Sequence, residues 1–335
     1  MNIRTISNLS LILKYLQLGT TIPITPEFHK YIISDLQFYN AKSLIILDNN
    51  KNPIGHVLVF NDESNILYFG YFGVHNHNVK GIEFLLEEIK NFAINNGFKK
   101  IKGPINIPTV LYGWGFMEEG SSTSLFVGKP VNPPIYNKVL LKKGYMISTK
   151  FHSYEGYFAR ITEDMLEKYD YSEYEIYIPE TWDEIIKLKN DYLSLNARNL
   201  MPEDTVTPSV AKRFENYLQF IKDFGEPSMF IFLRYKKNDK LIGCFTSLPN
   251  PFRKDNQGKY DSFVAFTLVL DKKYRDKGLG LLLTKHTLDA AVKRHNLYVL
   301  TPIEESKVKT IYFSVEKGKI SLSRMHSIFE LDLLD

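Results

Sequence analysis

The sequence predicts an α/β (α+β) chain built as two tandem repeats, each a mixed, mostly antiparallel sheet flanked by helices. Three observations carry this. A strand–loop–helix–strand pattern occurs twice. Each copy follows a pair of β-rich runs split by an Asn- and Asp-rich turn. The helix of each copy is amphipathic. At 335 residues the chain is long for one domain and comfortable for two.

In the first copy the hairpin runs are Ser43 to Leu47 and His56 to Phe60, joined by Asp48-Asn49-Asn50-Lys51-Asn52. Ile66 to Gly73 is the next strand. A helix is expected over Gly81 to Asn96, because Ile82, Leu85, Leu86, Ile89, Phe92 and Ala93 recur at three, four and seven residues. A short strand at Ile101 follows. The second copy opens with a strand at Glu175 to Ile178. A helix from Trp182 to about Leu195 and another from about Ser209 to Asp223 come next. The second hairpin joins Met229 to Tyr235 with Leu241 to Ser247 through Lys236-Lys237-Asn238-Asp239. Phe263 to Leu270 is its third strand, and a helix runs from Leu279 to about Arg294, with Leu279, Leu282, Leu283, His286 and Ala290 on the packed face. Placing Gly81 on Gly280 superposes the two patterns. The polar stretch Ile161 to Ser172 is the expected boundary, giving domains 1–163 and 164–335.

Composition bounds the function. Hydrophobic residues make up 44% and charged residues 24%, which is ordinary for a globular protein. A net charge of +4 suits an anionic ligand but is far from a nucleic-acid binder. Cys244 is the single cysteine, so no internal disulfide forms, and a reducing, cytoplasmic compartment is the expectation. Within the apolar run 241–245 a packed thiol is the simpler reading. No apolar run approaches the ~20 residues of a membrane span.

The chemistry concentrates in Arg275-Asp276-Lys277-Gly278-Leu279-Gly280, between a strand and an amphipathic helix. The first N–H groups of a helix lack intrahelical acceptors and face outward together. The helix dipole adds positive potential there. Gly278 and Gly280 would let a phosphate approach the main chain. A P-loop reading fails, because G-x-x-x-x-G-K-[ST] is absent.

R-x-x-G-x-G in that position, with Leu270-Asp271-Lys272-Lys273-Tyr274-Arg275 before it, resembles motif A of the GNAT N-acetyltransferase superfamily. Gly103-Pro104-Ile105-Asn106, Gly113-Trp114-Gly115-Phe116, Pro133-Pro134 and Lys143-Gly144-Tyr145 resemble a group of bacterial tandem GNAT N-acyltransferases. The resemblance implies acetyl-CoA, or another acyl-CoA, as co-substrate and a small amine or amino-acid-like acceptor. It implies that Arg275, Asp276, Lys277, Gly278, Leu279 and Gly280 hold the coenzyme A diphosphate. The main chain of Leu268, Val269 and Leu270 would run beside the pantetheine, with the N–H of Leu268 or Leu270 polarising the thioester carbonyl.

In the first repeat Asn76 falls at the Arg275 position and Val79 at the Gly278 position, so that half is expected to have lost coenzyme A binding and to wall the acceptor side. Asp261 and Glu304, with Glu305, are candidate bases, and Tyr312 is the candidate acid, since Ser314 stands where the family carries its Tyr. Each alone is more simply a solvated carboxylate or a core tyrosine. His286 reads as core. His75 and His77 read as a surface loop without a metal. A tRNA-dependent aminoacyl transferase of the same fold and a non-catalytic acyl-CoA-binding or partner-binding module are the alternatives. The intact loop argues against the first of these.

Overall fold

The computed structural model describes residues 2–62, 64–119, 121–157, 161–199, 213–293, 298–304 and 320–333. It divides into two compact units that are not contiguous in sequence. The first comprises Met1–His152, Val206–Tyr217 and Arg324–Asp335; the second comprises Ser153–Thr205 and Leu218–Ser323. Residues 153–163, which precede the expected boundary, thus group with the second unit.

The first unit contains β1 (Asn2–Ile6), α1 (Leu9–Leu16), α2 (His29–Phe38), β2 (Lys42–Leu47), β3 (Pro53–Phe60), β4 (Ile66–Val74), α3 (Val79–Asn95), β5 (Lys100–Gly103), α4 (Thr109–Tyr112), β6 (Phe116–Met117), α5 (Ile135–Lys142) and most of β7 (Met146–Gly156). Strands β1 to β4 are antiparallel neighbours in order. β5 then pairs parallel with β4, through Ile66↔Lys100 to Tyr68↔Lys102. α3 buries Ile82, Leu85, Leu86, Ile89 and Ala93 against the sheet residues Val57, Val59, Leu67 and Phe69. At roughly 2 kcal/mol per fully buried large aliphatic side chain, that face fixes the helix on the sheet.

The second unit contains α6 (Glu163–Leu166), β8 (Tyr174–Tyr177), α7 (Trp182–Lys187), α8 (Lys189–Asn199), most of α9 (Phe214–Phe224), β9 (Phe230–Tyr235), β10 (Lys240–Pro249), β11 (Ser262–Leu270), α10 (Leu279–Val292) and β12 (Tyr298–Glu304). The sheet order is β8-β9-β10-β11-β12. All pairs are antiparallel except β11 with β12, which run parallel from Ser262↔Tyr298 to Val264↔Leu300. Ile231, Leu233, Phe263, Ala265, Leu279, Leu282 and Leu283 form its core. The last strand, β13 (Ile320–Asp332), returns residues 324–332 to the first unit, pairing with β5 through Phe329↔Gly103 and with β6 through Ser327↔Phe116.

The mixed, mostly antiparallel architecture is as the sequence predicts. Some details differ. The single helix expected from Trp182 to Leu195 is two helices, separated at Leu188. On α10 the buried face is Leu279, Leu282, Leu283, Thr287, Leu288 and Ala291, while His286 and Ala290 are only half-buried. The helix is apolar on several sides, so spacing alone did not select the packed stripe. The start of the helix expected over about Ser209 to Asp223, and the end near Arg294 of the helix expected from Leu279, lie outside the described residues.

Candidate functional site

β11 leaves its parallel partner early. Pairing with β12 is recorded only through Val264, whereas β11 continues to Leu270. A register shift accompanies the departure. Ser247 faces Ala265 and Thr246 faces Thr267, so Phe266 is an extra residue on β11. Such a bulge bends its strand and increases the local twist. Beyond it the hydrogen-bonding sense of β11 follows from its end, where Asp271 N–H donates to Ile242 O at 2.7 Å. Backbone groups alternate sides along an antiparallel pair. Val269 and Thr267 therefore address β10, and the N–H and C=O of Leu268 and Leu270 address the edge from which β12 has withdrawn. Leu268 is 48% exposed there.

The loop after β11 is held from four directions. Asp271 Oδ1 accepts from Lys273 N–H at 3.1 Å, and Lys240 Nζ donates to Asp271 Oδ2 at 3.1 Å. Asn199, at the end of α8, accepts from Lys272 N–H at 3.0 Å. Tyr171 O–H donates to Gly278 O at 3.2 Å. Lys277 Nζ donates to Tyr174 O–H at 3.2 Å, beside the ring of Tyr274; this hydrogen bond, first among its causes, raises the lysine pKa. Arg275 turns back, making long contacts to Leu270 O at 3.4 Å and Asn199 O at 3.5 Å.

Asp276 and Gly278 are left-handed, with φ of 63° and 71°. Gly278 is the N-cap of α10 and supplies no side-chain acceptor. Its carbonyl takes the N–H groups of Leu281 and Leu282. The N–H groups of Lys277, Gly278, Leu279 and Gly280 have no acceptor among the described residues. Left-handed residues next to a helix start gather such groups into a concave anion site.

The two glycines differ in role. A Cβ on Gly278 would lie 2.5 Å from the Tyr169 ring. Gly278 is therefore required by its φ and by an aromatic neighbour, not by an open approach as the sequence suggested. A Cβ on Gly280 would meet nothing within 4 Å, so Gly280 is the glycine with free space above it.

The first unit has the same strand departure without the cradle. β4 parts from β5 after Tyr68, but its free edge is occupied. Ile105 N–H donates to Phe69 O at 2.7 Å, and Tyr71 N–H donates to Asn106 Oδ1 at 2.6 Å. Leu18 and Gly19 pack against Tyr71 and Gly73 so closely that neither glycine has room for a side chain. The following loop is only residues 75–78, against 271–278 in the second unit. The residue matching Gly278 at the N-cap is Asn78, not Val79 as spacing implied. Asn78 Oδ1 accepts from Gly81 N–H at 3.2 Å, so the helix caps itself.

Of the expected catalytic groups, Asp261 precedes β11. Its Oδ2 contacts Arg253 Nη2 at 3.3 Å, and its Oδ1 is buried without a hydrogen-bond partner. Glu304 ends β12, with its side chain outside the described residues. Glu305 and Tyr312 lie outside them altogether. Cys244 is fully buried, and burial pushes its thiol up to about 12. His75 and His77 are exposed, and His77 Nδ1 lies 2.9 Å from the Tyr136 hydroxyl. Among the described residues no group of three or more His, Cys, Asp or Glu could hold a metal, and no helix is long and apolar enough to cross a membrane.

Sequence reasoning missed Tyr169, Tyr171, Tyr174 and Asn199, which hold the loop. Three of the four fall in or beside the stretch read as a polar boundary. The aromatic spacing Tyr169, Tyr171, Tyr174 was the available signal.

The acetyltransferase (GNAT) family model matches residues 194–308, about a third of the chain and the part that carries β11, the loop and α10. The tandem GNAT protein from the clavulanic acid biosynthesis pathway, solved without acetyl-CoA, is similar over 100% of both chains, with a TM-score of 0.61 and 12% identity. A GCN5-related N-acetyltransferase from Sphaerobacter thermophilus is similar over 98% of this chain and 95% of its own, with a TM-score of 0.58 and 9% identity. At these identities the likeness is one of fold. No curated protein matches the sequence. The GNAT family model thus matches a segment in the C-terminal half, and the chain as a whole shares its fold with a tandem GNAT protein.

Proposed function

We propose that this chain is a coenzyme-A-dependent N-acyltransferase that moves an acyl group, acetyl in the simplest case, from a thioester to the amine of a small or amino-acid-like acceptor. The observation that carries the reading is the uncapped start of α10. Four consecutive N–H groups with no acceptor among the described residues follow, after a six-residue turn, a strand whose pairing with β12 ends at Val264. The diphosphate would sit against Lys277, Gly278, Leu279 and Gly280. The basic side chains Lys272, Lys273 and Arg275 are exposed around it. The pantetheine amides would pair with the Leu268 and Leu270 backbone as a strand would, and Val269 would hold β11 to β10.

Attack by a neutral amine places negative charge on the thioester oxygen, and an N–H on the open edge of β11 would stabilise it. Asp261 is the one sequence-predicted base whose side chain lies among the described residues. It lies three residues, roughly 10 Å of strand, before Val264, where β11 and β12 part. It would accept the amine proton through water rather than in contact with the reacting atoms. The filled edge of β4 and the self-capped α3 support one acyl-CoA site per chain, in the C-terminal half.

Titration calorimetry with acetyl-CoA and longer acyl-CoA tests the reading. Wild type is expected to bind one equivalent, and Gly280→Glu, which has room for its side chain, should stay folded and lose binding. Release of free thiol across a panel of small amines completes the assignment. Failure of wild type to bind any acyl-CoA sinks the proposal. Binding with no thiol release under any acceptor would leave a non-catalytic module in its place.

A further inference from the structure

Three tyrosines from one short segment of the second unit border the loop before α10, and they meet it in different ways. Tyr171 O–H donates to Gly278 O at 3.2 Å, and Tyr174 O–H accepts from Lys277 Nζ at 3.2 Å. Those two bonds hold the loop. Tyr169 instead lays its ring against Gly278, where an added Cβ would come within 2.5 Å of two ring carbons. Part of that ring stays uncovered, since Tyr169 is 42% exposed. Beside it are the N–H groups of residues 277–280, which have no acceptor among the described residues.

The backbone on both sides of Tyr169 is fixed. Tyr169 N–H donates to Leu166 O at 3.0 Å, and Tyr174 N–H donates to Tyr171 O at 2.9 Å. Asp170 Oδ1 accepts from Ser172 N–H at 2.8 Å between them. Leu166 and Tyr174 are buried, and the Tyr171 ring stands 6.2 Å from that of Tyr169. A ring set in place before a ligand arrives loses little freedom on binding it.

The sheet order places this ring at one end of the cradle. The tyrosine segment leads into β8, the far strand of the order β8-β9-β10-β11-β12, whereas the edge of β11 released after Val264 faces the β12 side. The loop lies between the two. A diphosphate seated there, with its pantetheine toward the β11 edge, has its other end toward Tyr169. In coenzyme A that end carries a purine nucleoside. A purine offers a flat π-face, and such faces stack on tyrosine rings.

We propose that Tyr169 is the stacking platform for the purine of the donor, and that it selects a coenzyme A thioester over the same thioester on a bare phosphopantetheine arm, the form a carrier protein presents. The inference rests on the acyl-CoA reading above and adds the feature by which two donors sharing one arm are told apart.

Calorimetry on the full chain compares acetyl-CoA with S-acetyl-phosphopantetheine for wild type, Tyr169→Ala, Tyr169→Leu and Tyr169→Trp. The leucine keeps apolar bulk over Gly278 without a π-face. Wild type should bind acetyl-CoA the more tightly. The alanine and leucine variants should weaken acetyl-CoA at least about fivefold and leave the phosphopantetheine thioester unchanged, while the tryptophan variant keeps the preference. The fluorescent etheno-adenine form of coenzyme A should be quenched on binding to wild type and not to Tyr169→Leu. Equal losses for both thioesters would make Tyr169 a support of the loop only and overturn the proposal, as would unchanged acetyl-CoA affinity in Tyr169→Leu. If Tyr169→Ala fails to fold, the leucine variant and the quenching decide. Wild type binding both thioesters equally would sink the platform and leave the thioester site standing. Wild type binding neither would remove the acyl-CoA reading itself, and this inference with it.

Discussion

Three residues at helix starts show how one side-chain atom decides whether a helix start is capped. Gly278, Gly280 and Asn78 all lie at or near N-caps. Asn78 carries an oxygen that takes Gly81 N–H, and Gly278 carries nothing. Asn78→Ala is expected to lower stability by about 1 kcal/mol, the usual worth of a cap, and to leave acyl-CoA affinity unchanged. Thermal denaturation and calorimetry read the two separately. Gly278→Ala must hold a left-handed φ of 71° and crowd Tyr169. It should cost about 1–2 kcal/mol and weaken binding as well. Gly280→Ala meets open space and gains helix propensity, so its thermal midpoint should hold or rise slightly. Equal losses at both glycines would refute this distinction. The pattern R-x-x-G-x-G was plain in the sequence. Which glycine has open space above it and which meets a tyrosine was not, because Tyr169 is far from Gly278 in the chain.

At the scale of elements, the sequence places most strands and helices, since hairpin turns and apolar spacing are local signals. It does not reveal how the two strand–loop–helix copies differ. The first unit has a loop four residues shorter, and Ile105 and Asn106 fill its strand edge at Phe69 and Tyr71. A single offset for the whole repeat hid the shortening and put Val79 where Asn78 belongs. In the second unit the loop stands on α8 through Asn199. Asn199→Ala removes the acceptor for Lys272 N–H. The fold should persist, because Leu195 and Tyr192 keep α8 in the core. Amide exchange across 272–280 should quicken, and acyl-CoA affinity should drop by roughly fivefold to tenfold. Unchanged exchange in that segment would show that Asn199 does not hold the loop.

At the scale of the molecule, the compact units take segments from distant parts of the chain. Residues 324–332 supply the strand beside β5 and put Ile328 and Phe329, both fully buried, into the first unit. A fragment of residues 1–163 would expose the β5 edge and lose those side chains. It should be insoluble or lack a cooperative transition, and a sharp denaturant transition in that fragment would contradict this. The same unit should be acid-labile. His56, held between Ser43 Oγ and Tyr71 O at 2.8 Å each, is drawn by burial to about 4, and His326 to about 3. Unfolded histidine binds protons below about 6.5, where both folded rings stay neutral. Stability present above pH 6.5 is therefore lost as pH falls toward 4, by up to about 3 kcal/mol per histidine. Urea denaturation at pH 7, 5.5 and 4.5 should show the loss, and His56→Asn should flatten it.

By itself the sequence determined the two-copy α/β organisation and singled out the loop 275–280 that we propose to cradle a diphosphate. Both are written in short-range spacing: apolar periods, turn residues, and glycines six or fewer positions apart. Only the tertiary structure decided that the strand edge of the first copy is filled and that Tyr169, Tyr171, Tyr174 and Asn199 support the loop of the second. Those facts depend on contacts between residues separated by 35 to more than 100 positions. No local pattern encodes such pairings; close packing around a shared core does.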